Sequence, residues 1–302
     1  MSAKEQKQKL RRRKNSRSAM VWRQFHKSKT AILGLCILAL FVIFAIGADW
    51  IENYDLRALA TNEAARFQTP SLKHLFTDQS HIFGTDEYGR DVFARIIHGS
   101  RVSLSIGIIS TSCAAAVGGL LGAVAAFYGK KWDFIIMRIM DVISSVPSIL
   151  LAMAVVAALG ANLTNLLIAL TFSSIATYAR LVRSSVLTLT GQEFIEAARA
   201  CGSSDFRIIT RHIVPNSLSP IICQMAFSSS RMILTAASMS YLGLGIQPPN
   251  PEWGAMLASA KTYMWTYPHL ITIPGICIVL AALSITLIGD GLRDALDPKL
   301  KD

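Results

Sequence analysis

Between Asp141 and Arg180 the chain runs for 38 residues without one charged side chain. At 1.5 Å per helical residue that stretch reaches about 57 Å, nearly twice the hydrocarbon thickness of a bilayer. It is therefore read as two membrane crossings, separated by GANLTN at 160–165, where Gly and Asn supply turn chemistry. Pro147 is expected to kink the first of them. Four further segments have the same character: 30–48, 102–128, 213–246 (interrupted by Arg231) and 269–289. The expectation is an all-α integral membrane protein of six spans. Residues 30–48 exceed the apolar core of about 7–15 residues usual for a signal peptide, so an uncleaved first span is preferred.

Composition agrees. Apolar residues make up 52% and charged ones 16%, below the roughly 25% usual in soluble domains. A net charge of +11 would suggest nucleic acid in a soluble chain, but here the cations flank apolar runs. Twenty-two of the thirty Lys and Arg residues fall in segments 1–29, 129–141, 180–212 and 290–302, and seven in the loops 49–101 and 247–268. By the positive-inside rule both termini are cytoplasmic. The organisation is then a basic N-terminus (1–29), a first span (30–48), an outer loop with an interfacial helix (49–101) and a core (102–302). Trp253, Tyr263, Trp265 and Tyr267 read as an aromatic belt in the second outer loop. The N-terminal cations also suit anionic membrane lipid. Gly118, Gly119 and Gly122 suit close helix packing, with no partner helix specified.

Several chemistries lack support. The cysteines Cys36, Cys113, Cys201, Cys223 and Cys277 form no CxxC and read as small apolar fillers, and no HxxxH or HExxH occurs, so no metal site is expected. No phosphate-cradling GxxxxGK[ST] is present, and no nucleophile–base pair lies in a span. A secondary transporter would call for intramembrane acids or an internal repeat, and the six spans contain neither.

The segment EFIEAARACGSSDFRIITRHIVPN, from Glu193 to Asn216, departs from an ordinary polar loop. Glu193–Cys201 reads as a short amphipathic helix with Phe194, Ile195 and Ala198 on one face. Gly202 suits a left-handed C-terminal cap, Ser203 or Ser204 the next N-cap, Asp205 the first turn beyond it, and Pro215 the first turn of the fifth span. Two readings fit these residues: docking on another protein, or lying on the membrane surface.

This segment resembles the EAA loop of ABC importer permeases. Glu196, Ala197 and Ala198 match EAA, and Gly202 and Pro215 fall at the expected spacing, with His212 and Val214 in the places before the Pro. GTDEYGRDVFARIIHGSRVSL (84–104), DVISSVPSILLA (141–152), SYLGLGIQPPNPEWGAML (240–257) and GDGLRDALDPKLK (289–301) are similar to the C-type permease subunit of dipeptide, oligopeptide and nickel importers. The resemblance implies the type I, MetI-like permease fold, a paralogous permease partner, two ATP-binding subunits and an extracytoplasmic substrate-binding protein. It implies a coupling loop at 190–215 in which Glu193, Glu196, Ala197, Ala198, Gly202, Asp205 and Pro215 meet an ATPase. It also implies that ATP and Mg²⁺ are used by those ATPase subunits, this chain having no cofactor and no catalytic site of its own. A peptide is the implied substrate, with nickel the alternative. The sequence departs from many family members at Thr235, where an acid is common, and at Arg231, where a non-basic residue is usual.

Four weaker features complete the reading. Asp86/Arg90 and Asp91/Arg95, at i,i+4 spacing, suit an interfacial helix from Asp86 to Arg101, which is a gate or simply structural. Arg231 near mid-membrane costs roughly 2.5–3.5 kcal/mol in lipid, so it lines a pore, meets a partner subunit or snorkels. Trp253, after Pro248, Pro249 and Pro251, reads as a headgroup anchor, and Arg293, Asp294, Asp297 and Lys299 as a solvated face.

Overall fold

The computed structural model describes residues 17–70 and 81–296. The basic residues before Arg17, and Asp297 and Lys299 in the tail, lie outside the described residues. A short helix, α1 (Arg17–Phe25), leads into α2 (Lys29–Ile51), whose N-cap Ser28 accepts the Ala31 N–H through its hydroxyl. After an irregular segment come α3 (Val92–Tyr128), α4 (Lys130–Ser144), α5 (Ser148–Leu159) and α6 (Leu163–Thr190). Two short helices, α7 (Glu193–Ala200) and α8 (Asp205–Ile208), precede α9 (Val214–Tyr241), α10 (Trp253–Ala260) and α11 (His269–Leu296).

By length and apolar character α2, α3, α6 and α11 are each able to cross a membrane, and α4 with α5 supply a fifth crossing if the bent pair is one span. The pair turns by 85° at Ser145–Pro147. Pro147 therefore does more than kink a span: lacking an N–H and disfavouring helix at the residue before it, it ends one helix and starts another. Since α5 is only 12 residues, about 18 Å, it does not cross alone. Helix α9 is long enough at 28 residues but carries three serines and Arg231 midway.

The expected interfacial helix is absent in that form. Residues 86–90 make a tight turn, and the helix beginning at Val92 continues without a break through the second expected span. At 37 residues, roughly 56 Å, it outreaches the bilayer core. Its first three turns are buried within the subunit, where an interfacial helix would lie on the surface. Asp91 is the N-cap, taking the Ala94 N–H at 3.1 Å, and this fixes where the helix starts.

The packing explains the order of the helices. α3 and α6 make the most extensive pairing, and α11 lies against α2 and α9. One core gathers Phe41, Val92, Ile96, Ile233, Trp253, Leu270 and Ile285 from α2, α3, α9, α10 and α11. A second joins α3, α5, α6 and α9 through Ile106, Val156, Leu166, Leu170 and Met239.

Candidate coupling site

Helix α7 ends in a Schellman turn. The Ser203 N–H donates to the Ala198 carbonyl at 3.1 Å and the Gly202 N–H to the Arg199 carbonyl at 2.9 Å. Gly202 has φ +74°, the left-handed conformation that a side chain makes costly, and open space surrounds the place of a β-carbon. Glycine is thus required by the backbone and not by crowding. Ser204 takes the next N-cap position, but its hydroxyl makes no capping bond, and Asp205 stands in the first turn of α8.

From Asp205 the backbone stays helical into α9 through one wide turn, Ile209–Ile213, where the Val214 N–H reaches back to the Ile209 carbonyl. Pro215 follows that turn at the start of α9. A proline has no N–H for the carbonyl four residues back, and a widened turn just before it is one way to absorb that loss. The second arm of the elbow and the span are thus one continuous helical run.

Ile195 is fully buried with Ile208 and Ile213, against Val182 and Val186 of α6 and Ala126 of α3, and Ala198 packs on the same cluster. Each buried isoleucine contributes about 1.5–3 kcal/mol of docking. Phe194, expected on the same face, turns out instead: it is 39% exposed, its ring 6.2 Å from that of His212. Adjacent residues on a helix are about 100° apart, so with Ile195 turned fully into the cluster Phe194 falls at its rim, on the other side of Ala198. Glu193, Glu196, Ala197, Gly202, Asp205 and Pro215 are all exposed, and Phe206 stands 77% exposed. The elbow is fixed from within and presents an outward surface of acids, small residues and two aromatic rings.

Behind it, Arg183 of α6 chelates Asp133 of α4 with two hydrogen bonds, Nη2 to Oδ2 at 2.6 Å and Nε to Oδ1. The 50-residue separation left this clamp invisible in the sequence, whose rules for charge pairs are local. Arg231 lies on the exposed side of α9, away from the elbow.

At the opposite end the expected charge pairs are rearranged. Arg90 Nε does bond Asp86 Oδ2, at 2.7 Å, in a turn. Arg95 does not pair with Asp91; it donates to the carbonyls of Ala58 (2.8 Å) and Pro249 (3.1 Å) and lies 3.6 Å from Asp86. Asp91 binds His81 at 2.7 Å. Arg95 and Asp91 are 3% and 2% exposed, so this is an interior network. Burial, and then the neighbouring Asp86, push the Glu87 carboxyl above the usual range.

Trp253 is not a headgroup anchor. It is fully buried, its ring 5.3 Å from that of Phe41 and its Nε1 donating to the Ile96 carbonyl at 3.1 Å. Tyr263 and Tyr267 close on Phe67, leaving Trp265, 88% exposed, as the one outward ring of the four. Glu252 is the functional-looking residue the sequence reading missed. It caps α10 with Oε1 on the Gly254 N–H and Oε2 on the Ala255 N–H, both 2.8 Å, and it receives the Ser103 hydroxyl at 3.3 Å. An acid just before a short apolar helix was its only signal. Of the cysteines, Cys223 is buried, Cys277 half-buried, and Cys36 and Cys113 lie on outward faces of the apolar helices α2 and α3.

Helices packed around a broken span, with a docked elbow leading into α9, define the fold of a type I importer permease. The inward-facing MetNI methionine ABC transporter has a chain that overlays with a TM-score of 0.55 at 18% identity, covering 67% of this chain and 97% of that one. The sequence pattern of the binding-protein-dependent transport system inner membrane component matches residues 118–302, and that of the N-terminal TM domain of oligopeptide transport permease C matches residues 16–70. The chain belongs to this family of inner membrane transport components. It is 44% identical over 280 residues to a dipeptide transport system permease protein of Alkalihalophilus pseudofirmus, covering 93% of this chain and 89% of that protein. It is also 44% identical to a glutathione transport system permease protein of Escherichia coli, covering 93% and 90%.

Proposed function

We propose that this chain is one of two permease subunits of an ATP-driven peptide importer, crossing the membrane six times with both termini in the cytoplasm. The distribution of Lys and Arg supports that orientation, and α9 supplies the sixth crossing. A second permease completes the translocation path, an extracytoplasmic binding protein delivers the peptide, and two ATPase subunits bind ATP and Mg²⁺. That the two relatives are permeases of dipeptide and glutathione transport systems supports a peptide as cargo.

The observation that carries the reading is the two-sided elbow. Ile195, Ile208 and Ile213 anchor it to α3, α6 and α9, while Glu193, Glu196 and Ala197 remain exposed. An ATPase that grips the outer side moves α7. The buried side passes that displacement to α6, and the helical run from Asp205 passes it to α9. Gly202 sets the angle between the two arms.

The test is reconstitution of the whole complex. Glu196→Lys and Gly202→Asp are expected to leave membrane insertion and subunit assembly intact while peptide uptake falls and ATP hydrolysis no longer follows it. Normal uptake by both variants would refute the assignment of the loop. Parallel assays with labelled dipeptide and with nickel fix the cargo, and nickel uptake alone would overturn the peptide reading.

A further inference from the structure

Five polar side chains of α9 recur at the spacing of one helix face: Gln224, Ser228, Arg231, Thr235 and Ser238. At about 100° per residue they lie within an arc of roughly 80°, and from first to last they span about 21 Å. Three hydrogen bonds run within the helix: Gln224 Nε2 donates to the Ser228 hydroxyl at 3.1 Å, Thr235 to the Arg231 carbonyl at 2.9 Å, and Ser238 to the Leu234 carbonyl at 2.8 Å, while Ser228 itself is buried against α6 beside Tyr178. Arg231 and Ser238 are exposed and Thr235 is partly so. Arg231 stands ten residues before Tyr241, about 15 Å from that end of the helix, which places it near the middle of the crossing proposed for α9. Among the described residues it has no ion-pair partner. Lipid does not stably surround an unpaired guanidinium at that depth, so this face of α9 meets water, cargo or a polar partner.

We infer that Arg231 is a substrate-binding residue of the translocation path and that it holds the α-carboxylate of the peptide in transit. The inference rests on the peptide-importer reading above. A guanidinium presents a planar fork of N–H donors that matches a carboxylate in a bidentate geometry, and in a narrow path of low polarity such a contact is strong. Peptides with a free C-terminus carry that group near neutral pH. Without it, a fixed cation at this depth would repel the peptide's own ammonium group. The small hydroxyls on either side leave room for varied side chains, so Arg231 reads the feature that all such peptides share.

The experiment uses the complete transporter in vesicles, with binding protein saturated by a labelled dipeptide, and compares wild type, Arg231→Gln and Arg231→Lys. Peptide carried per ATP hydrolysed is expected to fall about tenfold or more in Arg231→Gln and to recover only in part in Arg231→Lys, which keeps the charge but not the fork, with all subunits still co-purifying. Wild-type transport by Arg231→Gln overturns the inference. So does loss of the second permease from the purified variant complex, which would make Arg231 the partner of an acid on that subunit. Equal losses in the Gln and Lys variants overturn it too. A wild-type complex that moves no peptide at all defeats the earlier reading instead.

Discussion

Gly122 of α3 lies so close to Ala179 of α6 that a β-carbon on the glycine would sit 2.2 Å from the Ala179 carbonyl oxygen. Gly118, one turn earlier, meets Ile175 and Tyr178 in the same way, whereas a β-carbon on Gly119 would find Val182 at an ordinary 3.6 Å. The backbones of the two helices touch along this seam, where dispersion does the packing. Gly122→Val should therefore push α3 and α6 apart and lower the yield of assembled complex, at a cost exceeding the 1–3 kcal/mol usual for overpacking by about one methylene. Gly119→Ala should be nearly silent. Thermal unfolding of the purified complexes separates the two, and equal behaviour would contradict the seam.

The elbow offers a second comparison. Ile195 is fully buried and Phe206 is 77% exposed, only eleven residues apart. Ile195→Ala is expected to cost about 2–5 kcal/mol, read as a fall in unfolding temperature. Phe206→Ala is expected to leave stability within about 0.5 kcal/mol of wild type and to weaken retention of the ATPase subunits during purification. Stability loss in the second variant would mean that the outer surface is not free for a partner.

Arg95 joins the segment before α3 to the loop after α9 by its bonds to Ala58 and Pro249. Removing a buried charge from a network leaves the others uncompensated, so Arg95→Ala should destabilise by about 3–5 kcal/mol. Arg95→Lys should recover little, because an ammonium group does not reproduce the fork that spans the two carbonyls and Asp86. Accumulation of each variant in the membrane, followed by thermal unfolding, checks the order.

Glu252 gives a pH signature. Burial lifts its carboxyl above the ordinary glutamate value of 4.5, against the pull of the Gly254, Ala255 and Ser103 hydrogen bonds. The folded chain therefore holds this proton more readily than the unfolded one. The stability from the raised value is full below 4.5 and is lost as pH rises through the folded value. Wild type should gain on Glu252→Gln as pH is lowered from neutral toward 4.5, on top of a constant penalty in the variant for a lost capping bond. A gap between their unfolding temperatures that does not change with pH would show that the carboxyl titrates normally.

Sequence alone determined what rests on runs and local spacing. Uncharged segments of 19 residues or more marked α2, α3, α6 and α11, the four helices long and apolar enough to cross a membrane alone, because charge is costly in lipid over that length. Glu193–Pro215 disclosed two helices about a glycine, because caps and turns are local chemistry. Tertiary structure decided what depends on distant partners. Trp253 looked like a surface aromatic until Phe41 and the Ile96 carbonyl enclosed it. Arg95 stood four residues from Asp91 yet turned to carbonyls at 58 and 249. Phe194 left the face given to Ile195 because only one side of α7 fits the cluster on α6. In each case the choice was made by which group lay across the fold, and spacing along the chain holds no record of that.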